Sequence, residues 1–298
     1  MAVLTSKPTD LDGAGAPART DPPRRRIKGR TGRWVRDHLV TLFGVLALVY
    51  LFIPIAVVVV FSFNKPEGSF NYTWTEFSLD AWAHPCSVEG MCGSLALSLK
   101  IAVLATLAAT VLGTLAAFAL VRHEFRGKAL ANVLIFVPMA TPEVVMGASL
   151  LTVFVQAFAP LGLKLGFWTV VIAHIMFCLS FVVVTVKARV LSLDPKLEEA
   201  AMDLYANETQ TFRRVTFPLV LPGIVAAAML SFSLSFDDFI ITYFVSGDVT
   251  TFPKFVYVSY LRGIPAQANV IGFSMFVIAL LLVIVGQVIG SRRRAAIR

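Results

Sequence analysis

Charge is scarce in this 298-residue sequence. Lys and Arg number 26 and Asp and Glu 18, so charged residues make up 15% of the chain, where soluble domains carry about 25%. Hydrophobic residues make up 57%, and the mean hydropathy is +0.78. The apolar stretches are spread along the whole chain, which excludes a soluble enzyme held by one anchor. Cysteine is down to 3 residues and histidine to 4. His38, His84, His123 and His174 are scattered and build no cluster. No H-E-x-x-H, C-x-x-C or G-x-S-x-G occurs, so no metal or nucleophile set is written in the chain. No G-x-x-x-x-G-K-[ST] occurs either. The expectation is no bound metal or cofactor and no catalysis. If the chain pumps, its energy enters through an ion gradient or another subunit.

What is present is hydrophobic length. Six apolar runs lie at about 39–63, 94–121, 129–157, 167–188, 219–245 and 268–290, each near the roughly 20 residues that cross a bilayer. Residues 1–36 are polar, rich in Pro, Ala, Gly and Asp, and end in a basic cluster from Arg24 to Arg36. That composition predicts a disordered tail. The run behind it is too long for a signal-peptide core and lacks a small-residue cleavage site, so it reads as a retained first span.

Cationic residues orient the spans. With the N-terminus inside, the inner segments hold the tail cluster, then Arg122, Arg126 and Lys128, then Lys187, Arg189, Lys196, Arg213 and Arg214, then Arg292 to Arg294 and Arg298. The outer segments hold only Lys65, Lys164, Lys254 and Arg262. Cytoplasmic loops carry this excess of Lys and Arg. The reading is therefore an all-α membrane protein with six transmembrane helices, a permease domain over 37–291, and basic cytoplasmic tails at 1–36 and 292–298. The net charge of +8 is accounted for by topology, so no nucleic-acid partner is expected. In the outer loop 64–93, Tyr72, Trp74, Phe77 and Trp82 look like interfacial aromatics. Cys86 and Cys92 face the oxidising side with short spacing, as a disulfide or as two free thiols.

Ionisable residues inside predicted spans cost about 2.5–3.5 kcal/mol each at a helix centre, so a functional role is the default. Glu143 follows Thr141-Pro142 in the third span, and Asp237 and Asp238 lie in the fifth. These three are candidates for a solute pathway, one that would favour a cation. Adjacent residues on a helix point about 100° apart, so one aspartate can face a path while the other caps or pairs. The alternative is structural pairing with Lys100 or exposure to headgroups. His174 reads as a core histidine satisfied by a neighbour, and Cys178 as a packing residue.

One segment breaks the apolar pattern, Lys187 to Gly223. Asp194-Pro195 is a helix start. Leu197, Ala200, Ala201 and Leu204 then share one face at i, i+3, i+4, i+7, with Lys196, Glu198, Glu199 and Asp203 on the others. Asn207 and Gln210 form a capping-box pattern for a second short helix. Such a hairpin lies on headgroups or on its own bundle, or it docks another protein.

Glu199-Ala200-Ala201, three residues, a position usually glycine, nine residues, then Val215-Thr216-Phe217-Pro218 resembles the signature loop of ABC importer permeases. Tyr205 stands at the glycine position, with Asn207 nearby as an alternative turn residue. The resemblance covers about 40–290. Phe61-Ser62-Phe63-Asn64, Gly113-Thr114-Leu115-Ala116-Ala117, Thr141 to Val145, Ala173 to Cys178, Ser235 to Phe239 with Tyr243 to Gly247, and Arg262 to Asn269 also carry it, several resembling the putrescine/spermidine branch. It implies the type I importer permease fold and a coupling loop, 189–218, whose residues Leu197 to Ala201, Asp203, Leu204 and Tyr205 meet a cytoplasmic ATPase. Glu198, Glu199 and Asp203 would face basic groups at the rim. It further implies an ATPase dimer that uses ATP, a second permease (paralogue or copy), an extracytoplasmic binding protein, and a bacterial inner-membrane location. The alternatives are the same machine for ferric ion, thiamine or an anion, or an ion-coupled secondary transporter.

Overall fold

The computed structural model describes residues 30–68, 70–162 and 164–295. Most of the expected N-terminal tail, 1–29, and the last three residues of the C-terminal one lie outside the described residues. The chain divides into two units, Met1–Pro54 and Ile55–Arg298.

The helices are α1 (Arg30–Phe61), α2 (Asp80–Ala83), α3 (Met91–Arg122), α4 (Lys128–Ala140), α5 (Glu143–Val153), α6 (Phe167–Leu191), α7 (Lys196–Asp203), α8 (Glu208–Thr211), α9 (Phe217–Asp237), α10 (Ile240–Val245), α11 (Phe252–Arg262) and α12 (Ala266–Ala295). In the first unit, the apolar side chains of α1 from Leu39 to Ile53 are exposed. In the second unit, α3, α6 and α9 pack on one another. Small residues make this packing close. Ser94, Ser98, Ala102, Ala105, Ala109, Gly113 and Ala117 form a buried stripe along α3. A Cβ on Gly113 would lie 2.6 Å from Val182 Cγ1 of α6, so the two helices meet where no larger residue fits. Between the helix layers, Val170, Phe177, Val182, Val186, Val220 and Ile241 are buried in one core.

Five helical stretches are long and apolar enough to cross a membrane: His38–Phe61, Met91–Arg122, Glu143–Leu161, Phe167–Leu191 and Glu208–Asp237. Two expected spans differ from the uninterrupted helices read from hydropathy. The run 129–157 is broken at Thr141-Pro142, leaving α4 short. Pro142 has no N–H to continue the ladder and drives Thr141 into an extended conformation. The run 219–245 is broken after Asp237, where Asp238 takes ψ 124°. Its side chain offers the next backbone N–H groups an acceptor in place of the helix ladder. For the sixth expected span, the apolar part of α12 among the described residues is Ala266–Leu281.

The two ends of α3 mark two poles of the second unit. At its start, Cys86 and Cys92 are joined by a disulfide, with Cα atoms 5.5 Å apart. There too the Phe252 N–H donates to Ser98 Oγ at 2.8 Å. Buried Asn64 organises the nearby loop, donating to Asn71 Oδ1 (2.6 Å) and Thr73 O (2.8 Å) and accepting from Thr75 N–H (2.8 Å). Lys254 of α11 spends its protons on Ser246 Oγ, Gly247 O and Val249 O. Burial holds this ammonium below the usual lysine range, against the pull of the Asp248 carboxylate. At its other end, Arg122 meets the α6–α9 loop.

Candidate functional site

The α6–α9 loop is built from local signals. Asp194 Oδ1 accepts the Lys196 N–H at 3.0 Å, opening α7 behind Pro195. Asn207 and Gln210 form the reciprocal cap of α8: the Gln210 N–H donates to Asn207 Oδ1 at 2.9 Å, and the Asn207 N–H donates to Gln210 Oε1 at 3.1 Å. Asn207 is therefore a cap, not a substitute turn. The turn itself is made by Tyr205, at φ 64° the only non-glycine residue with positive φ among the described residues. The Tyr205 N–H donates to Met202 O (2.9 Å) and the Ala206 N–H to Ala201 O (3.1 Å), the paired bonds of a Schellman closure that ordinarily places glycine there. Tyrosine at that position keeps the geometry and bears the left-handed strain, about 1–2 kcal/mol. Tyr205 is 97% exposed, so it recovers almost nothing from packing within the chain. Tyr205→Gly is expected to stabilise the hairpin by about 1 kcal/mol, the relief being partly offset by the freer unfolded chain. Amide exchange at Leu204 to Asn207 measures this, as slower exchange in the variant.

The two short helices present two faces. Leu197, Ala200, Leu204 and Tyr205 are exposed, Leu204 at 82%, and Ala201 is half-buried. Glu199 and Asp203 are exposed as well. Glu198 departs from the rim position expected of it. It points back into the molecule, where Glu198 Oε1 accepts from Arg122 Nη2 at 2.6 Å and from Thr216 Oγ1 at 2.6 Å. Met202, four residues on, turns to the same side and lines a cleft of about 550 Å³ with Phe118, Arg122, Thr211 and Phe212. The pairing partners Arg122 and Thr216 carry no local signal: they lie 76 and 18 residues away from Glu198.

The second cluster sits at the two helix breaks. Asp238 is buried, its oxygens filled by the Ile241 N–H (3.3 Å), the Thr242 N–H (2.8 Å) and the Thr242 hydroxyl (2.8 Å). His174 Nε2 lies 3.2 Å from Asp238 Oδ2 and 2.9 Å from Thr242 Oγ1, and its Nδ1 is 2.7 Å from Ser235 Oγ. Of the two adjacent aspartates, Asp238 is thus committed to capping α10 and fastening it to α6. Asp237 is exposed, as is Glu143. Gly147 brings α5 onto α10, because a Cβ there would lie 2.6 Å from Phe244 Cδ2. Glu143 is one turn earlier on that face. Asp237 ends α9 and so stands at the negative end of a helix dipole, where an anion is disfavoured and a cation favoured. Beside it the Phe239 ring lies 4.5 Å from Tyr257 and 5.5 Å from Tyr243. Lys100 is exposed and pairs with no carboxylate among the described residues.

A loop of two capped helices outside a bundle of apolar helices matches a known transport architecture. Residues 109–294 fit the model of the binding-protein-dependent transport system inner membrane component family. The chain belongs to that family. The spermidine/putrescine transport system permease protein PotC of Escherichia coli is 36% identical over 259 residues, 87% of this chain and 94% of that protein. The putrescine transport system permease protein PotI of the same organism is 36% identical over 228 residues, 75% of this chain and 80% of that one. Among solved structures, a bacterial ABC transporter involved in the import of the acidic polysaccharide alginate matches with a TM-score of 0.59. That match has 17% identity and covers 88% of this chain and 98% of its chain. The fold is that of an ABC importer permease. As a family member this chain is a multi-pass inner-membrane transport subunit rather than an enzyme, and a partner ATPase uses the ATP.

Proposed function

We propose that this chain forms half of the membrane pore of an ATP-driven polyamine importer, carrying putrescine or spermidine. The observation that carries the reading of the solute is the pair Glu143 and Asp237. Both are exposed at helix breaks, and neither has a cationic partner among the described residues. A carboxylate within an apolar span favours a cationic passenger, and an alkyl diammonium supplies two ammonium groups, which also suit the ring faces of Phe239, Tyr243 and Tyr257. The likeness to PotC and PotI supports the same class of solute. In this reading six spans cross the bacterial inner membrane with both termini in the cytoplasm. A binding protein delivers the solute from outside, and a second permease subunit completes the path. The outward face of α7 docks in a groove of a cytoplasmic ATPase dimer. Asp238 serves the path indirectly, by holding the break in shape.

The test is uptake of labelled putrescine and spermidine by the reconstituted complex. Asp237→Asn and Glu143→Gln are each expected to lower uptake at least about tenfold, the order of a lost charge-assisted contact, while the complex still assembles. Normal uptake by both variants would remove the carboxylate path.

A further inference from the structure

We infer that Glu198 is not part of the ATPase-docking face but a positioning residue: with Arg122 and Thr216 it forms the link that carries movement of α7 into α3. The inference rests on the reading of α7 as the docking helix and adds the route by which its motion reaches the spans.

The geometry is that of a tie between two bodies. One carboxylate oxygen, Glu198 Oε1, accepts both the Arg122 guanidinium and the Thr216 hydroxyl at 2.6 Å. Arg122 is the last residue of α3, the helix that packs along both α6 and α9. Thr216 is buried and lies immediately before α9. Beneath this contact α7 is not seated on a filled core. Its inner face, Glu198 and Met202, overlies the cleft of about 550 Å³. Among the described residues, the Arg122–Glu198 pair is the ion pair that joins α7 to α3.

The chain ties α7 to α6 through Ser192 to Pro195 and to α8 through Leu204 to Asn207, and α7 packs on α8 and on Phe212–Thr216. None of these restraints is on α3, so α7 can shift over the cleft without moving it. The ion pair removes that freedom, and Thr216 couples the same oxygen to the start of α9. The π-helical turn Phe212–Thr216 provides the irregular backbone that sets the Thr216 hydroxyl toward Glu198. Phe118 of α3 and Phe212 flank the contact edge to face, with centroids 5.4 Å apart. The side chains of Glu198 and Arg122 are 18% and 35% exposed, so the pair is shielded enough to transmit load and open enough for exchange of its charges to be tolerated.

The experiment uses the complete complex, purified through a tag on this chain, with loaded binding protein present. Three readouts are taken: ATPase copurification, ATP hydrolysis, and uptake. Glu198→Ala and Arg122→Gln are expected to leave copurification at the wild-type level. Uptake per ATP hydrolysed should fall by about tenfold, the size of a modest coupling energy. The reversed pair, Arg122→Glu with Glu198→Arg, should restore most of the ratio, because Thr216 Oγ1 can accept from a guanidinium as well as donate to a carboxylate. Loss of copurification in Glu198→Ala to the extent seen with Leu204→Asp would overturn the inference and return Glu198 to the docking face. An unchanged ratio in both single variants, or no recovery in the reversed pair, would also overturn it. If Glu198→Ala alone fails to assemble, Thr216→Val, which keeps the ion pair and removes one bond, is read in its place: an intermediate ratio supports the link and a wild-type ratio refutes it. Should Leu204→Asp leave copurification intact, the docking reading itself has failed, an outcome distinct from those.

Discussion

Leu204→Asp is expected to abolish copurification of the ATPase and all ATP-driven uptake, while this chain still inserts in the membrane. Leu204 is 82% exposed at the end of α7, and Leu197, Ala200 and Tyr205 are exposed beside it. An exposed apolar patch on a loop outside the spans is unfavourable unless a partner covers it. The alanines keep the outward face low, so a facing surface can come close. Substitution places a carboxylate in the centre of that contact, where it finds no partner and is stripped of water, a loss of about 3–5 kcal/mol. That amounts to a factor of about 150 to about 4,000 in affinity. Because Leu204 makes little contact within the chain, its own fold is spared. A blot for the ATPase after detergent extraction and tag purification reads the result. Retained ATPase would show that the face is covered by lipid or by the bundle itself.

The second large effect is structural. Asp238→Ala is expected to destabilise the second unit by about 3–5 kcal/mol. The change leaves the Ile241 and Thr242 N–H groups without their acceptor and removes the carboxylate from His174, which is 1% exposed. With the cap gone, α10 loses the restraint that keeps it distinct from α9, and the shape of the break at Asp237 goes with it. The measurement is thermal unfolding of the purified chain, in which Asp238→Ala melts well below wild type. Asp237→Asn, lacking any such partners, melts near wild type. The contrast separates the two adjacent aspartates: one loses stability, the other loses transport. Equal melting of both variants would contradict the assignment of Asp238 to the His174 network.

The helical core was legible because hydropathy is a local property and long apolar runs leave little choice. Both caps of the α6–α9 loop were legible for the same reason, since Asp194, Asn207 and Gln210 act within three residues of themselves. The helix breaks were not read as breaks, although their causes stand in the sequence. A window of 20 residues averages over Pro142 and Asp238 without registering that one removes a donor and the other supplies a competing acceptor. Glu198 was misplaced because its spacing from Glu199 and Asp203 says only that it lies off the apolar face. Which way it turns is decided by Arg122, 76 residues earlier. Tyr205 shows the converse. A backbone closed by two hydrogen bonds holds the left-handed turn without glycine, so the departure from the usual residue alters the surface of the turn and not its path.

The most direct measurement is uptake of labelled putrescine into proteoliposomes holding the purified complex, with loaded binding protein outside and ATP either present or absent inside. The account predicts accumulation against the gradient with ATP, none without it, and none when this chain is reconstituted alone. Accumulation by this chain alone, driven by an ion gradient and indifferent to ATP, would contradict it.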